Sequence, residues 1–500
     1  MGEINTLKYV STRGKDNRSV SSAHAIKVGL ADDGGLFMPS VIPELTMDEI
    51  RDMANDTYPT RAAKILSKYL TDYTYDELLA DAEDAYSTGK FRDFPAKLTD
   101  MHDGTFMLEL WHGPTCAFKD MALQIMPRLF VRALRKCNET KTALILVATS
   151  GDTGKAALEG YANVDGTKIK VFYPVDGVSC VQKLQMQTQG GDNTSVGGII
   201  GNFDDAQSGV KAIFSDKEFA KELDRAGVFL SSANSINWGR LVPQIVYYVS
   251  AYCDMVKYGH ITLGEQIDVC VPTGNFGNIF ACYLAKKMGL PIEKLVCASN
   301  QNNVLTDFFA TGIYDKNREF HTTISPSMDI LISSNLERLL FITLGAEKTR
   351  EYMNQLNSSG NYKLSAEDLD KITEDFCGYY TDEEKTSSTI KDVFENKNCL
   401  IDPHTAVATS ATYAYMKENK AERKILTVST ASAYKFASDV YTSLTGTAPK
   451  DELSALSELE KLTGWECPSP LANLGERKII HTEIIPSSDM QNSVRKFTEV

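Results

Sequence analysis

The sequence predicts an α/β protein with an open, mostly parallel sheet. Short apolar, β-branched runs recur along the middle of the chain, and helical segments follow most of them. Several runs are too apolar to leave one face in water, as expected for strands buried on both sides. The runs lie at residues 106–110, 144–148, 168–173, 195–200, 267–271, 295–298 and 425–428, and the helical segments at 121–135, 154–162, 204–226 and 277–288.

The chain has 500 residues, which fits two or three domains better than one ordinary core. Residues 1–100 look mainly helical, because Thr46 and Glu49 match a capping box and residues 75–86 form another amphipathic segment. We assign residues 101–310 to the α/β core with both of its lobes. We divide the rest into a helical insertion or second-lobe extension (311–400), a final core strand (401–450) and a C-terminal tail (451–500).

Composition excludes several classes of protein. The formal net charge of -14 disfavours binding to nucleic acid or to an anionic membrane. Residues 1–18 lack the apolar core of a secretory signal, and no apolar stretch approaches the ~20 residues that span a bilayer. The ten cysteines are scattered and form neither a CxxC pair nor a metal-ligand cluster. We therefore expect a cytoplasmic enzyme with reduced thiols and no metal.

The loop Thr-Gly-Asn-Phe-Gly-Asn at 273–278 joins a predicted strand to a predicted helix. Glycines let the backbone approach an anion closely, and a helix N-terminus offers free N–H groups. The loop matches neither a Walker A sequence nor a dinucleotide fingerprint. On this pattern alone, a phosphate site and a plain turn are equally good interpretations.

A second loop, Thr-Ser-Gly-Asp-Thr-Gly at 149–154, occupies the same kind of junction. Its hydroxyl and N–H groups suit a carboxylate or another small anion. The alternative is an ordinary helix cap, for which Ser150 or Asp152 would serve. Two such loops in one sheet favour ligand binding over two coincidental caps.

Three further segments carry candidate chemistry. Lys119 ends a Gly- and Pro-containing loop beside apolar residues, where desolvation would suit a lysine for Schiff-base chemistry, although spacing alone does not distinguish it from a surface lysine. The polar cluster at 231–240 ends in Arg240, which could grip a phosphate or lie on a wet face. Thr430 follows the last predicted strand, where its hydroxyl could meet a ring nitrogen or simply end the strand.

Together these segments resemble the threonine synthases, a family of fold-type II pyridoxal phosphate (PLP) enzymes. The resemblance implies two open α/β lobes around a cofactor cleft, with a mainly helical N-terminal region. The matching motifs follow one another in order from residue 9 to about 440. They are Tyr-Val-Ser-Thr-Arg-Gly at 9–14, Asp-Gly-Gly-Leu-Phe-Met-Pro at 33–39, His-Gly-Pro-Thr-Cys-Ala-Phe-Lys-Asp at 112–120, Ala-Thr-Ser-Gly-Asp-Thr-Gly at 148–154, Ala-Asn-Ser-Ile-Asn-Trp-Gly-Arg at 233–240, Thr-Gly-Asn-Phe-Gly-Asn at 273–278, Ser-Pro-Ser-Met-Asp-Ile at 325–330, Ser-Ser-Asn-Leu-Glu-Arg at 333–338 and Ser-Thr-Ala at 429–431.

The resemblance also implies roles for the matching positions. Lys119 would form the Schiff base with PLP and act as the catalytic residue. Thr430 would meet the pyridine nitrogen. The cofactor phosphate would bind to Gly274, Asn275, Phe276, Gly277 and Asn278. The substrate carboxylate and the ring hydroxyl of the cofactor would face Ser150, Gly151, Asp152 and Thr153. The remaining contacts to substrate or to its phosphate would come from His112, Asn234, Ser235, Asn237 and Arg240.

The implied reaction converts O-phospho-L-homoserine and water to L-threonine and phosphate by γ-elimination followed by addition at Cβ. One position departs from the family, which often has His after Ser-Thr-Ala where this chain has Ser432. That departure leaves open a phospholyase, which would release a 2-oxo acid, ammonia and phosphate. We expect His404 to be structural and not a replacement for the lost group.

Two alternatives outside catalysis are weaker. A scaffold that only keeps the fold would tolerate loss of Lys119 or of the phosphate loop, yet both are intact. The second alternative is a sensor protein that binds PLP but catalyses no reaction. Since the resemblance begins at Tyr9, we expect no N-terminal regulatory extension, and we expect a monomer.

Overall fold

The computed structural model describes residues 6–14, 18–92 and 94–499. The first part of the chain is mainly helical. Thr46 caps its second helix in a capping box with Glu49, as predicted, and Thr74 and Glu77 form another. The elements are β1 (Tyr9–Ser11), α1 (Ser22–Val28), β2 (Phe37–Pro39), α2 (Met47–Met53), α3 (Tyr58–Tyr69) and α4 (Tyr75–Ala85).

Strands and helices alternate in the next part of the chain. Two predicted helices are each split in two, since Pro127 starts a new helix at its first turn and the Asp216 carboxylate caps another. The elements are β3 (Lys97–Asp100), β4 (Thr105–Glu109), α5 (Asp120–Leu123), α6 (Met126–Lys136), β5 (Thr142–Ala148), α7 (Asp152–Tyr161), β6 (Thr167–Pro174), α8 (Cys180–Gln187), β7 (Thr194–Ile200), α9 (Phe203–Ser215), α10 (Lys217–Arg225), β8 (Val228–Ser231), α11 (Trp238–Leu241) and α12 (Pro243–Lys257).

The last part adds the remaining strands and several helices. Short 3-10 helices include Pro326–Met328 and Ala433–Phe436. The elements are β9 (Ile267–Pro272), α13 (Gly277–Met288), β10 (Ile292–Ser299), α14 (Val304–Thr311), β11 (Ile313–Asp315), α15 (Leu336–Leu344), α16 (Ala346–Ser359), β12 (Asn361–Lys363), α17 (Ala366–Thr373), β13 (Phe376–Tyr380), α18 (Glu383–Lys397), α19 (Pro403–Asn419), β14 (Ile425–Ser429), α20 (Ala437–Thr445), α21 (Ser454–Thr463), β15 (Glu483–Pro486) and α22 (Met490–Thr498).

Two sheets define two lobes. One has six strands in the order β13-β10-β9-β14-β4-β3, parallel except for the edge strand β3. The other has five parallel strands in the order β15-β7-β6-β5-β8. The prediction of an α/β protein with two open lobes is therefore confirmed, and all seven predicted runs are strands.

Burial explains why these runs form strands. β9 is buried over its whole length, and β5 over its five central residues, because helices cover both faces of each sheet. Each fully buried Val, Leu or Ile contributes roughly 1.5–3 kcal/mol relative to an exposed one. Parallel strands also align their carboxyl ends, so the loops after β4, β9 and β14 share one edge of the six-stranded sheet, and the loop after β5 lies at the corresponding edge of the five-stranded sheet.

Two segments contribute strands that the sequence pattern did not reveal. The 311–400 stretch supplies β13 at the edge of the six-stranded sheet. The C-terminal tail supplies β15 at the edge of the five-stranded sheet, where Glu483 pairs with the buried Lys170 at 2.8 Å. In the part of the chain that the structure describes, no helix has the length and apolar character needed to cross a membrane.

Candidate active site

Lys119 lies at the start of α5, and its side chain is only 10% exposed. Its Nζ is 3.2 Å from Asp152 Oδ2 and 3.1 Å from Ser327 Oγ. Burial lowers the pKa of Lys119 below the usual lysine value, and the nearby Asp152 only partly opposes this effect. A lysine that gives up its proton readily is suited to nucleophilic attack and to proton transfer.

Asp152 is buried between two lysines. Its Oδ2 faces Lys119 and accepts a hydrogen bond from Ser327 Oγ at 3.1 Å. Its Oδ1 is 3.0 Å from Lys435 Nζ and accepts a hydrogen bond from Gln182 Nε2 at 2.9 Å. Burial by itself would raise the pKa of Asp152, but the two lysines and Gln182 outweigh it and hold the pKa well below the usual range. Asp152 is therefore an ionised carboxylate.

The 149–154 loop is organised by Thr149, which sequence analysis had not singled out. Thr149 Oγ1 accepts hydrogen bonds from the amides of Gly151 and Gly154 at 3.0 and 2.9 Å. Neither Ser150 nor Asp152 caps α7, because the cap residue is Gly151 and makes no side-chain cap. The interpretation of this loop as an ordinary Ser or Asp cap is therefore wrong.

That loop also leaves donors free. Among the described residues, no acceptor takes the amide N–H of Ser150, Asp152 or Thr153. Gly151 has φ of +134°, and a Cβ there would come within 2.4 Å of the Gln182 side chain, so only glycine fits. Free amides at the N-terminus of a ten-residue helix make a site for a small anion.

The 273–278 loop carries no charge and differs in construction. Within the described residues, the amide N–H groups from Gly274 to Asn278 donate to no protein acceptor. Phe276 adopts the left-handed conformation with φ of +63°, which turns the backbone into α13. Ser333 Oγ donates to the Gly274 carbonyl at 2.6 Å, and Asn335 donates to the Asn275 carbonyl at 2.9 Å. Ser333 and Asn335 thus hold the loop through its carbonyl groups, and its amide N–H groups remain free.

Asn278 adds a buried polar atom without a partner. Its Oδ1 accepts hydrogen bonds from the hydroxyls of Tyr247 and Tyr248 at 2.6 and 2.5 Å. Its Nδ2 is buried and has no hydrogen-bond partner among the described residues. A buried donor of this kind is costly unless a ligand satisfies it.

Thr430 follows β14 and sits against the backbone just before Lys119. Its carbonyl accepts the Phe118 amide at 2.7 Å, and its own amide donates to Thr405 Oγ1 at 3.3 Å. These bonds fix the Thr430 backbone next to the residue that precedes Lys119. Ser432, the departure from the family, is buried, and its hydroxyl accepts the Tyr434 amide to cap a 3-10 helix.

Arg240 is buried, so the interpretation that places it on a wet face is wrong. Its Nη1 donates to the Ala233 carbonyl at 2.8 Å, and its Nη2 reaches Thr153 Oγ1 at 3.5 Å. In the described part of the chain, no carboxylate forms an ion pair with it. Burial lowers the pKa of Arg240 to about 10. A buried guanidinium that pairs with no carboxylate is suited to bind an anion.

Among the described residues, the other predicted substrate contacts form no hydrogen bond with Lys119, Asp152 or Ser327. His112 Nε2 is 2.7 Å from Glu109 Oε2 and its ring stacks on Trp111. Asn234 is exposed and Ser235 half-buried. Asn237 uses both ends of its amide within the protein, since Oδ1 accepts the Gly239 amide and Nδ2 donates to a carbonyl in α1. Asn237 therefore caps α11 and anchors it to α1.

Several residues of the network escaped sequence analysis. Ser327 belongs to a motif that carries the resemblance but received no role. His404, which we expected to be only structural, accepts the Ser327 amide at Nε2 (3.1 Å), while Asp402 lies 2.6 Å from its Nδ1. This bond requires an unprotonated Nε2. His404 therefore fixes Ser327, which bonds both Lys119 and Asp152. Gln182 and Lys435 are the other partners of Asp152.

Known proteins resemble this chain over nearly its whole length. The family profile described as "Threonine synthase N terminus" matches residues 8–86, and the profile described as "Pyridoxal-phosphate dependent enzyme" matches residues 102–431. Threonine synthase from Saccharomyces cerevisiae is 34% identical over 91% of this chain and 94% of that protein. Threonine synthase from Pseudomonas aeruginosa is 38% identical over 89% of this chain and 92% of its own length.

Solved structures agree. The PLP-bound threonine synthase from Brucella melitensis is 35% identical, with a TM-score of 0.87 over 99% of this chain and 100% of that one.

A longer relative also matches by sequence. The protein named threonine synthase-like 1 from Macaca fascicularis is 41% identical over 81% of this chain. The chain spans 57% of the length of that relative.

The fold and the lysine-centred site define a PLP-dependent enzyme. The chain belongs to the threonine synthase family. Its cofactor is pyridoxal phosphate, and the residues present fit that group. The free amides from Gly274 to Asn278 suit its phosphate, and the partnerless Asn278 Nδ2 offers a further donor. The buried Lys119 offers an amine of the kind to which PLP binds.

Proposed function

We propose that this protein is a threonine synthase that converts O-phospho-L-homoserine and water to L-threonine and inorganic phosphate. The observation that carries the proposal is the charge balance of the cleft. Lys119 and Lys435 bond a single carboxylate, Asp152, and Arg240 lies beside the same loop with no carboxylate of its own. A buried excess of positive charge favours an anionic ligand, and this substrate carries a carboxylate and a phosphate.

The cofactor would be held at three points. Lys119 would bind it covalently, the amides from Gly274 to Asn278 would hold its phosphate, and the Thr430 hydroxyl would meet its ring nitrogen. When bound, PLP supplies an electron sink that stabilises negative charge at the substrate Cα. A hydroxyl partner would leave the ring nitrogen largely unprotonated. Some PLP enzymes instead place an acid at this nitrogen, which keeps it protonated.

Two sets of donors would bind the substrate. The free amides of the Ser150–Thr153 loop would hold its carboxylate, and Arg240 would bind its phosphate. Asp152 and Arg240 are buried away from water, where charge-assisted hydrogen bonds are strong. His112, Asn234, Ser235 and Asn237 stay proposed contacts, with Asn237 the weakest because both ends of its amide are engaged.

Lys119 would carry the protons. Its neutral amine would take the proton from the substrate Cα and later return one there, and its lowered pKa makes both transfers feasible near neutrality. The amine would also take a proton from Cβ as the Cγ–O bond breaks and phosphate departs, and a proton would be delivered to Cγ, which becomes the methyl carbon of threonine. Water would then add its hydroxyl at Cβ and give up its other proton, so that phosphohomoserine and water balance threonine and phosphate. Asp152 and Ser327 would hold the Lys119 amine in place between these steps.

A phospholyase is the second candidate, favoured by one observation. Ser432 stands where the family often has His, and its hydroxyl is occupied in capping Tyr434. No ionisable group is thus offered at that position to guide water to Cβ. Release before water adds at Cβ would give an enamine, and its hydrolysis by water would yield a 2-oxo acid and ammonia beside the phosphate already expelled.

The test is turnover of O-phospho-L-homoserine by the purified protein, with amino acid, 2-oxo acid and phosphate measured together. An Arg240→Met variant should lose about 100-fold in kcat/KM, because the substrate phosphate would lose its guanidinium. Arg225→Met, at an exposed arginine, is the matched control and should be unchanged. Turnover that yields neither threonine nor a 2-oxo acid would refute both candidates.

We also propose that the enzyme is a cytoplasmic monomer, in line with its acidic composition and scattered thiols. Light scattering of the purified protein should give the mass of one 55.2 kDa chain. A dimer mass at micromolar concentration would contradict the monomer.

A further inference from the structure

A second lysine is buried beside the first. Lys435 lies in the 3-10 helix that follows Thr430, and its side chain has 0% exposure. Its Nζ is 3.0 Å from Asp152 Oδ1 and donates to the Thr115 carbonyl at 2.9 Å. Thr115 in turn bonds the buried Asp120 carboxylate through its amide and hydroxyl. Lys435 therefore bridges the Asp152 carboxylate to the loop that carries Lys119.

The two oxygens of Asp152 have separate sets of partners. Oδ2 bonds Lys119 and Ser327, whereas Oδ1 bonds Lys435 and Gln182. If Lys119 were the only cation, loss of its proton would leave a buried carboxylate without a counter-ion. A buried, unpaired carboxylate is strongly unfavourable, so Lys119 would retain its proton. The second lysine removes this constraint.

We propose that Lys435 is a positioning residue that serves as the standing counter-ion of Asp152, which frees Lys119 to change its charge during the reaction. The proposal rests on the proposed role of Lys119 as the amine that binds the cofactor and moves protons. Lys435 acts through Asp152 and need not touch substrate.

The charged groups around Lys119 all bear on this proposal. Asp152 faces it from α7, Lys435 from the 3-10 helix and Arg240 from α11, while His404 of α19 is linked to it through Ser327. Removing the charge of Lys435 would act on Lys119 in two ways. The repulsion between the two ammonium groups would be lost, and Asp152 would have Lys119 as its only lysine partner. Both effects favour the protonated form of Lys119.

The test measures the ionisation of Lys119 without cofactor or substrate. Apoprotein is labelled with trace acetic anhydride across a pH series, and mass spectrometry follows acetylation of the peptide containing Lys119. In wild-type protein the midpoint should lie below the 10.5 of an ordinary lysine. In Lys435→Met the midpoint should rise by roughly one pH unit or more. At any pH below the midpoint, about tenfold less of Lys119 would then be the neutral amine.

Two further variants separate charge from shape. Lys435→Arg keeps the charge and should retain the wild-type midpoint. Gln182→Met removes a neutral hydrogen bond from the same Asp152 oxygen and should move the midpoint much less than Lys435→Met does. Circular dichroism verifies that each variant is folded. A folded Lys435→Met with the wild-type midpoint, or a Lys435→Arg that behaves like Lys435→Met, overturns the proposal.

The wild-type measurement keeps the proposal testable even if no variant folds, because an ordinary lysine midpoint in the unaltered protein also overturns it. Failure of the proposed function gives a different pattern. If the enzyme forms no threonine yet the midpoints shift as expected, the counter-ion role stands and only the assigned reaction is wrong.

Discussion

The two glycine-containing loops at the ends of β5 and β9 have similar sequences but different constructions. The 149–154 loop presents free amides around Asp152, whose charge is tied to Lys119 and Lys435. The 273–278 loop presents free amides and no charged side chain, and Ser333 and Asn335 brace it from behind. Under the proposed mechanism, the first loop would lie beside the group that moves protons. The second loop has no titratable side chain of its own and suits a phosphate.

The difference shows how one kind of turn can serve two tasks. Neutral amides bind an anion without titrating, so in the proposed enzyme the second loop would hold the cofactor phosphate without a charge change of its own. A carboxylate paired with lysines couples the first loop to the ionisation of Lys119. Variants in the first loop should therefore change pH dependence, and variants in the second should change cofactor affinity.

Removal of the lysine itself should have the largest effect. Lys119→Ala should reduce threonine formation by on the order of a thousandfold or more, because both the covalent attachment and the proton carrier are lost. The visible absorbance of lysine-bound PLP should vanish as well. Spectra of the purified variant with added PLP, alongside an activity assay, measure both. Retained absorbance would place the cofactor on another lysine.

Asp152→Asn should have the next largest effect. Two buried lysines would lose their counter-ion, so the free energy of unfolding should fall by about 3 kcal/mol. The folded pKa of Asp152 is depressed, so its contribution is fully present above its ordinary value of 3.8 and is lost only as pH falls further. Urea unfolding at pH 7 and at pH 3 measures the difference between variant and wild type.

A matched control for that prediction is Asp204→Asn, which alters an exposed aspartate in the first turn of α9. It should change stability by less than about 0.5 kcal/mol. An Asp152 variant no less stable than this control at pH 7 would contradict the account of the charged loop.

Gly274→Ala should have a smaller effect, mainly on the neutral loop. A Cβ at this position would lie 2.7 Å from the Ser327 carbonyl, so the loop or Ser327 must shift. We expect roughly tenfold weaker PLP binding, about 1.4 kcal/mol, and a smaller change in the pH dependence of activity than Asp152→Asn produces, because Ser327 also bonds Lys119. Gly89→Ala, where a Cβ meets no atom within 4 Å, is the control. A changed pH profile with unchanged PLP affinity would reverse the division of labour between the loops.

Ser432→Ala should have the smallest effect. Its hydroxyl caps a 3-10 helix, so stability should fall by about 1 kcal/mol and the product ratio should stay the same. Thermal unfolding and product analysis measure the two. A shift from threonine to 2-oxo acid in this variant would mean that the hydroxyl takes part in water addition.

Local pattern predicted much of the fold. Strands buried on both faces stand out as apolar runs, whereas β8 has only four residues and β15 is a half-exposed edge strand, so neither has a strong pattern. The candidate site is harder to predict, because its bonds join distant parts of the chain. Ser327 lies 208 positions from Lys119, and Lys435 lies 320 positions from Thr115. Without the resemblance, spacing could not distinguish Lys119 from other lysines.

The most direct test of the central claim is turnover of O-phospho-L-homoserine in ¹⁸O-labelled water. The account predicts threonine with one labelled oxygen, on its Cβ hydroxyl, together with unlabelled phosphate, because the Cγ–O bond breaks and water adds to carbon. Labelled phosphate with homoserine would mean hydrolysis at phosphorus and would contradict the account. A 2-oxo acid with ammonia and unlabelled phosphate would instead assign the protein as the phospholyase.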